Sequence, residues 1–586
     1  MEMSELTSKN DILKAKEAGG FLEYICNASR GDKQNRDKIT NLLATLHNSE
    51  EIDIIEEFQD IKNQPDSAGN FFPATHILEK ILPLLNAPVI QVMDCVLHLI
   101  TEAGQDLAAG GLVQPFTEFC EAMPSQVDEA IRLILLSPGK YSSLLPSVLI
   151  AGTDNDIEKY VTKALEFCSH AEEVIQSNAV FALGRISFPA ESDYPQRVIN
   201  CLATVCETGV KDQVLSNIVR TVCNISTNDN DQVDKGLIVL SSALAKGEEL
   251  TLYSASHVFG FELKKIPEQL VDALLSALID VKPEHTGTLA NIGYGVSSLL
   301  KRDYPEKGID FLERLLLRHR GALSIEALGD LVHSIISQDI ALLNKLLTRW
   351  FLNGEHILCD SIRIVIDTIH TNEPELSIDP DEIPGDNPGY HLFIARKAIG
   401  FLFFKPLSCS KILLSLMEYS WDEEVLHDIG MLLFDPILLN YSGKPYDFIK
   451  EKKGRYSEAV NLEIQKIISA IDEYLEDLKS VPDIPEMYPT QEQREVQRRS
   501  YSRKMAESYK EARKGSIMDL ICSKSVLLYG KSSIMHVYDG SGKSNRMEIP
   551  LQQHSVSFEV PRQTEISPVD FDYTLRVFRN ERLVEQ

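Results

Sequence analysis

The chain has 586 residues, 87 of them acidic and 58 basic, for a formal charge of −29; hydrophobic residues make up 44% and charged residues 25%. These proportions are those of soluble globular proteins and exclude a disordered, collagen-like or membrane-embedded chain. So negative a surface also repels a phosphate backbone over most of its area, which excludes a general nucleic-acid coat.

The N-terminus lacks the basic start and apolar core of a signal peptide. No uncharged apolar run approaches the ~18–20 residues that a membrane crossing takes. The most apolar stretch, His391 to Leu407, is interrupted by Arg396, Lys397 and Lys405 and reads as a buried helix. Ten cysteines form no Cys-x-x-Cys pair. Free buried thiols in a reducing compartment are expected, which places the protein in the cytoplasm with no membrane partner.

Residues 1–124 read as an N-terminal helical region, the start or cap of a longer helical array. From 125 to 480 the chain falls into helix-length apolar segments separated by short breaks, and the segments resemble one another. Ser177-Asn-Ala-Val-Phe-Ala-Leu-Gly-Arg-Ile186 begins one unit and Ser216-Asn-Ile-Val-Arg-Thr-Val-Cys-Asn-Ile225 begins the next, 39 residues later. Ser254-Ala-Ser-His-Val-Phe-Gly-Phe-Glu-Leu263 follows after 38 and Thr288-Leu-Ala-Asn-Ile-Gly-Tyr-Gly-Val-Ser297 after 34. Each is followed by a second amphipathic segment: Val198–Val205, Leu237–Leu244, Leu270–Ile279 and Ile309–Leu317. Small residues recur near the start of each first helix, where two helices must approach closely. Two helices per unit at this period are the mark of a stacked helical array.

These aligned segments resemble the HEAT/armadillo-like α-solenoid superfamily. The resemblance implies a mainly α fold, a superhelical stack of helix pairs, and a long surface used for protein contacts. The regular proline and paired Asp/Arg positions of well-formed HEAT units are mostly missing, so the repeat class stays open.

Residues 371–389 hold four prolines and six acids and read as an exposed insertion, since proline removes backbone donors and the acids repel one another. Val481-Pro-Asp-Ile-Pro-Glu-Met-Tyr-Pro489 opens a proline-rich linker over 481–490. Residues 491–586 then read as a basic helix plus a small, mostly antiparallel β module. Thr490 and Gln493 have capping-box spacing for that helix. Strands are expected at 525–529, 534–538, 546–549, 555–560 and 573–578, with a turn at Asp539-Gly-Ser-Gly-Lys-Ser-Asn545.

No motif carries chemistry. Gly542-Lys543-Ser544 lacks the glycine five residues earlier that a phosphate-wrapping loop needs, because Val537 stands there. The histidines include no His-Glu-x-x-His. Cys201 and Cys206 are five apart, poor spacing for one helix face; Cys168 and Cys223 belong to adjacent repeats and could approach them in space, but core thiols are the simpler reading. No Gly-x-Ser-x-Gly elbow or kinase motif set is present. No catalytic, cofactor-binding or metal residue is therefore assigned, no cofactor is expected, and the balance leans away from an enzyme.

The strongest interaction signal is the helix Gln491–Lys514, whose candidate contact residues are Arg498, Arg499, Tyr501, Arg503, Lys504 and Tyr509. Tyr501, Met505, Tyr509 and Ala512 recur at helical spacing. The favoured expectation is that this stripe docks on the β module while the basic face meets the acidic solenoid. The competing readings are a protein partner or nucleic acid. Overall the sequence points to a non-enzymatic scaffold or adaptor whose acidic solenoid takes proteins with a basic contact surface. Nucleic acid is disfavoured over the solenoid and confined, if present, to the basic helix. The layout also resembles accessory proteins of prokaryotic defence systems. The alternative is an enzymatic or nucleic-acid-binding effector seated in the C-terminal helix and β module.

Overall fold

A computed structural model describes residues 8–29, 33–59, 61–63, 68–104, 106–301, 305–337, 340–369, 374–385, 387–514, 522–528, 532–538, 544–550 and 559–583. The chain divides into two compact units, residues 1–346 with 360–371, and residues 347–359 with 372–586. That division falls inside the expected 125–480 array.

Unit 1 is a stack of helices, and the repeated segments read from the sequence are its successive pairs. They are α1 (Glu173–Leu183) with α2 (Tyr194–Glu207), α3 (Asp212–Asn228) with α4 (Val233–Lys246), α5 (Glu249–Phe261) with α6 (Glu268–Leu278), and α7 (Thr286–Leu300) with α8 (Glu306–Arg318). The architecture is an α-solenoid of two layers, the first helices of each pair forming one and the second helices the other. Further helices from Lys9–Glu17 to Ile157–Phe167 precede it in the same unit.

The layers are held by different chemistry. In the first, buried hydroxyls and amides reach from helix to helix. Asn217 donates to the Ser177 carbonyl at 2.9 Å, Thr221 to the Val180 carbonyl at 2.8 Å, and the Ser216 and Ser254 hydroxyls meet at 2.7 Å. The Asp212 carboxylate accepts from the amides of Glu248 and Leu250 at 2.7 Å each, so the first residue of α3 satisfies amides at the N-terminus of α5. In the second layer, exposed ion pairs link equivalent positions one repeat apart: Arg197–Glu158 at 3.0 Å, Lys307–Asp272 at 2.6 Å and Arg318–Asp280 at 2.8 Å. Exposed pairs contribute only ~0–1 kcal/mol each, so stacking rests on the buried layer.

Glycine makes that layer tight. A Cβ on Gly260 would lie 2.7 Å from the Asn291 carbonyl oxygen, and one on Gly293 only 1.8 Å from that of Leu328. These close approaches fall at the end of α5 and the middle of α7, further along the first helices than the starts where the sequence placed them.

Unit 2 contains α9 (Gly389–Leu402), α10 (Glu458–Ser480) and α11 (Gln491–Arg513). Strands β1 (Cys522–Leu528), β2 (Ser532–Tyr538) and β3 (Ser544–Pro550) form one antiparallel sheet in the order β1-β2-β3. The expected C-terminal β module needs correction here. Segment 573–578 belongs to a helix, α12 (Pro568–Asn580), which buries Phe571 and Leu575. Of the strand expected at 555–560, residues 559 and 560 lie in no strand, and 555–558 lie outside the described residues, as do Tyr529 and turn residues 539–543.

The acidic insertion is also less exposed than expected. Leu376 and Ile378 are 3% exposed; the Ile378 amide donates to Ser415 Oγ at 3.0 Å and the Asp379 amide to Thr348 Oγ1 at 2.8 Å. An alternating Leu-x-Ile pair inside the acidic run anchors it. Every residue of the proline linker 481–490 is exposed by contrast. Limited proteolysis is therefore expected to cut first within 481–490, with 374–382 surviving longer. First cleavage at 374–382, mapped by mass spectrometry, would contradict that anchoring.

Candidate binding face on the stacked helices

Helices α1, α3, α5 and α7 lie in parallel register, as their bonds show: residues 217, 221 and 224 of the second meet 177, 180 and 184 of the first. Each is packed on most sides and presents one narrow stripe to solvent. Asn178, Phe181 and Arg185 come from α1 and the turn after it, and Asn217, Arg220 and Asn224 from α3. Tyr253, His257 and Phe261 come from α5, and Tyr294 from α7.

The aromatic side chains on this face are open and mutually arranged. Tyr253 is 42% exposed, Phe261 56% and Tyr294 47%. The Phe261 and Tyr294 rings lie 5.4 Å apart between centroids and His257 lies 4.9 Å from Phe261. Burial and the neighbouring Arg220 lower the His257 pKa, with Glu262 opposing, so the ring is neutral at neutral pH. The Arg185 guanidinium sits 4.7 Å from the Phe181 ring centroid, and Arg220 donates to Ser254 Oγ at 3.2 Å. Among the described residues neither guanidinium has a carboxylate within ion-pair distance.

That isolation has a cause in the sequence. Apart from the first residues Glu173, Asp212 and Glu249, these four helices contain no Asp or Glu, whereas each helix of the second layer has at least one carboxylate beyond its first residue. Acids return at both edges. Glu173, Asp212 and Glu249 line the N-terminal edge. Glu191, Asp193, Asp229 and Asp231 line a cavity of about 1120 Å³ at the C-terminal edge, together with Arg185 and Phe188. The face is thus a neutral-to-basic aromatic strip between acidic borders.

Such an arrangement can bind. Aromatic rings offer large apolar anchors at small entropic cost, side-chain amides offer donors and acceptors, and the two arginines can fork onto a carboxylate or carbonyl. Among the described residues no group of three or more His, Cys, Asp or Glu could hold a metal ion. The described cysteines are free thiols. Burial pushes Cys95, Cys120 and Cys223 up to about 12, which keeps them protonated. Cys168 stands beside Cys201 of the neighbouring repeat, an approach the sequence allowed for, and the Cys201 thiol donates to the Leu165 carbonyl at 3.8 Å.

The residues singled out from the sequence lie together on α11. Arg498, Arg499, Tyr501, Arg503 and Lys504 are all exposed, and the Tyr509 side chain lies outside the described residues. Thr490 and Gln493 form the expected capping box. The docking expected of the stripe is not made: Tyr501 is 63% exposed and Met505 is open as well. Arg499 pairs with Glu495 of the same helix at 3.3 Å. A stripe one residue wide on so polar a helix buries too little apolar area to hold it down. No motif in the sequence marks the face on α1, α3, α5 and α7. Its signal was present as the missing carboxylates of the first helices.

No protein-family model matches the chain, and no curated protein matches it. Solved structures aligned with it include an engineered protein from a structural genomics consortium, at 11% identity over 79% of this chain and 98% of that one, with a TM-score of 0.23. The structure of APUM23-GGAUUUGACGG aligns at 12% identity over 79% and 93%, with a TM-score of 0.21. A circular tandem repeat protein aligns at 11% over 80% and 97%, with a TM-score of 0.16. Superpositions this poor carry no weight for fold or function. Among the described residues no single helix is long and apolar enough to cross a membrane.

Proposed function

We propose that this protein is a non-enzymatic binding scaffold that holds a protein segment on the face of α1, α3, α5 and α7. One observation carries the reading: a chain of net charge −29 keeps the first-helix layer of its repeats free of carboxylates beyond their first residues while exposing aromatics there, beside two arginines that have no carboxylate within ion-pair distance among the described residues. The acidic borders favour a segment with apolar or aromatic anchors flanked by Lys or Arg. A nucleic acid would have to run its phosphates between two rows of acids, which raises the electrostatic cost along its whole length.

A photo-cross-linking residue at Tyr253 or Tyr294, compared with one at Ile238, which is 71% exposed on α4 of the other layer, tests the proposal. Cross-links to one protein are expected from the face and none from position 238. Phe261→Ala with Tyr294→Ala should cut recovery of that protein at least about tenfold, as removal of central aromatic anchors does, while the melting temperature barely moves. Equal labelling at position 238, or cross-links to nucleic acid, would overturn the reading.

A further inference from the structure

We infer that the segment held by this face is helix α11 of a second copy of the same chain. The inference rests on the binding-face reading above and adds the identity of the occupant. Both surfaces are open on a single molecule: all described side chains of α11 are exposed, and so are the rings of Tyr253, Phe261 and Tyr294. A surface and its complement left open on one chain are the condition for head-to-tail association between copies.

Length, charge and spacing agree. Twenty-three residues of helix span about 35 Å at ~1.5 Å per residue. Four helices packed at ~8–10 Å intervals present a face about 30 Å wide. Helix α11 carries seven basic and four acidic residues, against acidic borders on the face. Its apolar stripe of Tyr501 and Met505 is continued towards the N-terminus by Arg494 and Arg498, seven and three residues before Tyr501 on the same side. Laid across the array, the tyrosine–methionine end falls over the Phe261–Tyr294 pair. The Arg494–Arg498 end, about 16 Å back along the helix from Met505, falls over the cavity that Asp229 and Asp231 line.

The contact is heterologous, so it generates rings or open chains instead of a closed two-fold dimer. Light scattering and sedimentation of the full chain over a concentration series test it. Mass is expected to rise with concentration and to fall with added salt. Arg494→Glu with Arg498→Glu should raise the apparent dissociation constant at least about tenfold, and so should Asp229→Lys with Asp231→Lys. Mixing the two charge-reversed proteins should restore one-to-one association, which neither forms alone. All four positions are exposed or half-exposed, and unchanged circular dichroism verifies that each variant folds. A chain that stays monomeric, association indifferent to both reversals, or reversed pairs that fail to rescue each other would overturn the inference. So would salt-resistant binding of single-stranded RNA that Arg494→Glu with Arg498→Glu abolishes. If Tyr253 and Tyr294 still cross-link to a different protein under those outcomes, the scaffold reading stands without this occupant.

Discussion

Gly293→Ala is expected to destabilise unit 1 by about 3 kcal/mol, at the upper end of what overpacking costs. The added methyl would lie 1.8 Å from the Leu328 carbonyl oxygen. Its neighbour is backbone in the turn Ile325–Leu328, not a side-chain tip that could swing away. Either α7 lifts from that turn or the turn breaks. Because each repeat contacts chiefly its neighbours, the damage should begin locally, with faster amide exchange in α7 and α8 than in α1 and α2. Gly260→Ala, at 2.7 Å from the Asn291 oxygen, should act in the same direction with a smaller effect. A urea midpoint unchanged by Gly293→Ala would show that the close approach is not what holds these helices.

Lys397→Met should release the C-terminal helix, at a cost of about 2 kcal/mol for the charged hydrogen bonds and the acceptors left behind. Lys397 is fully buried in α9, and its ammonium donates to the Arg579 carbonyl at 2.7 Å and the Gly354 carbonyl at 3.2 Å. The first of these belongs to the last turn of α12, whose Phe571 ring packs 4.5 Å from that of Phe403, the residue that caps α9. Amides 571–580 should exchange faster in the variant. Burial holds the Lys397 ammonium below the ordinary lysine range, with Cys359 and Glu581 opposing. The unfolded chain therefore binds this proton more tightly, and stability gains from rising pH between the lowered value and the ordinary one near ~10.4. The wild-type chain should show that gain and Lys397→Met should not. Equal pH slopes in the two proteins would contradict it.

The repeats were legible because two signals coincided: apolar faces at helical spacing, and a unit length of 34–39 residues that aligned Ser177, Ser216, Ser254 and Thr288. Segment 573–578 was misread for an instructive reason. Tyr573-Thr-Leu-Arg-Val-Phe578 alternates like a strand and is rich in β-branched and aromatic residues. Yet Phe571, Leu575 and Phe578 lie at i, i+4 and i+7 on one helical face, and Pro568 suits a first turn. The face packed against α9 decided between the two periods, and no local pattern contains that information. Helix α11 was legible by charge and by its cap, but its exposure was not, since a helix alone does not say whether anything covers it. The binding face escaped notice because its mark is a deficit spread over four segments, visible only when first and second helices are compared.

The parallel register of α1, α3, α5 and α7 has an electrical consequence. Each helix is a dipole worth roughly half a charge at either end, and four of them point the same way, so their ends add along the two borders of the face. At the N-terminal border the partial positive charges are met by Glu173, Asp212 and Glu249, which largely cancel them. At the other border, Asp229 and Asp231 follow α3 and Glu262 follows α5, so carboxylates stand on the negative ends and reinforce them. The strip between is crossed by a field of fixed direction. A cationic segment arriving at low ionic strength is turned before it touches, its positive end drawn to the Asp229–Asp231 border, and it loses that guidance as the screening length shrinks below the width of the face.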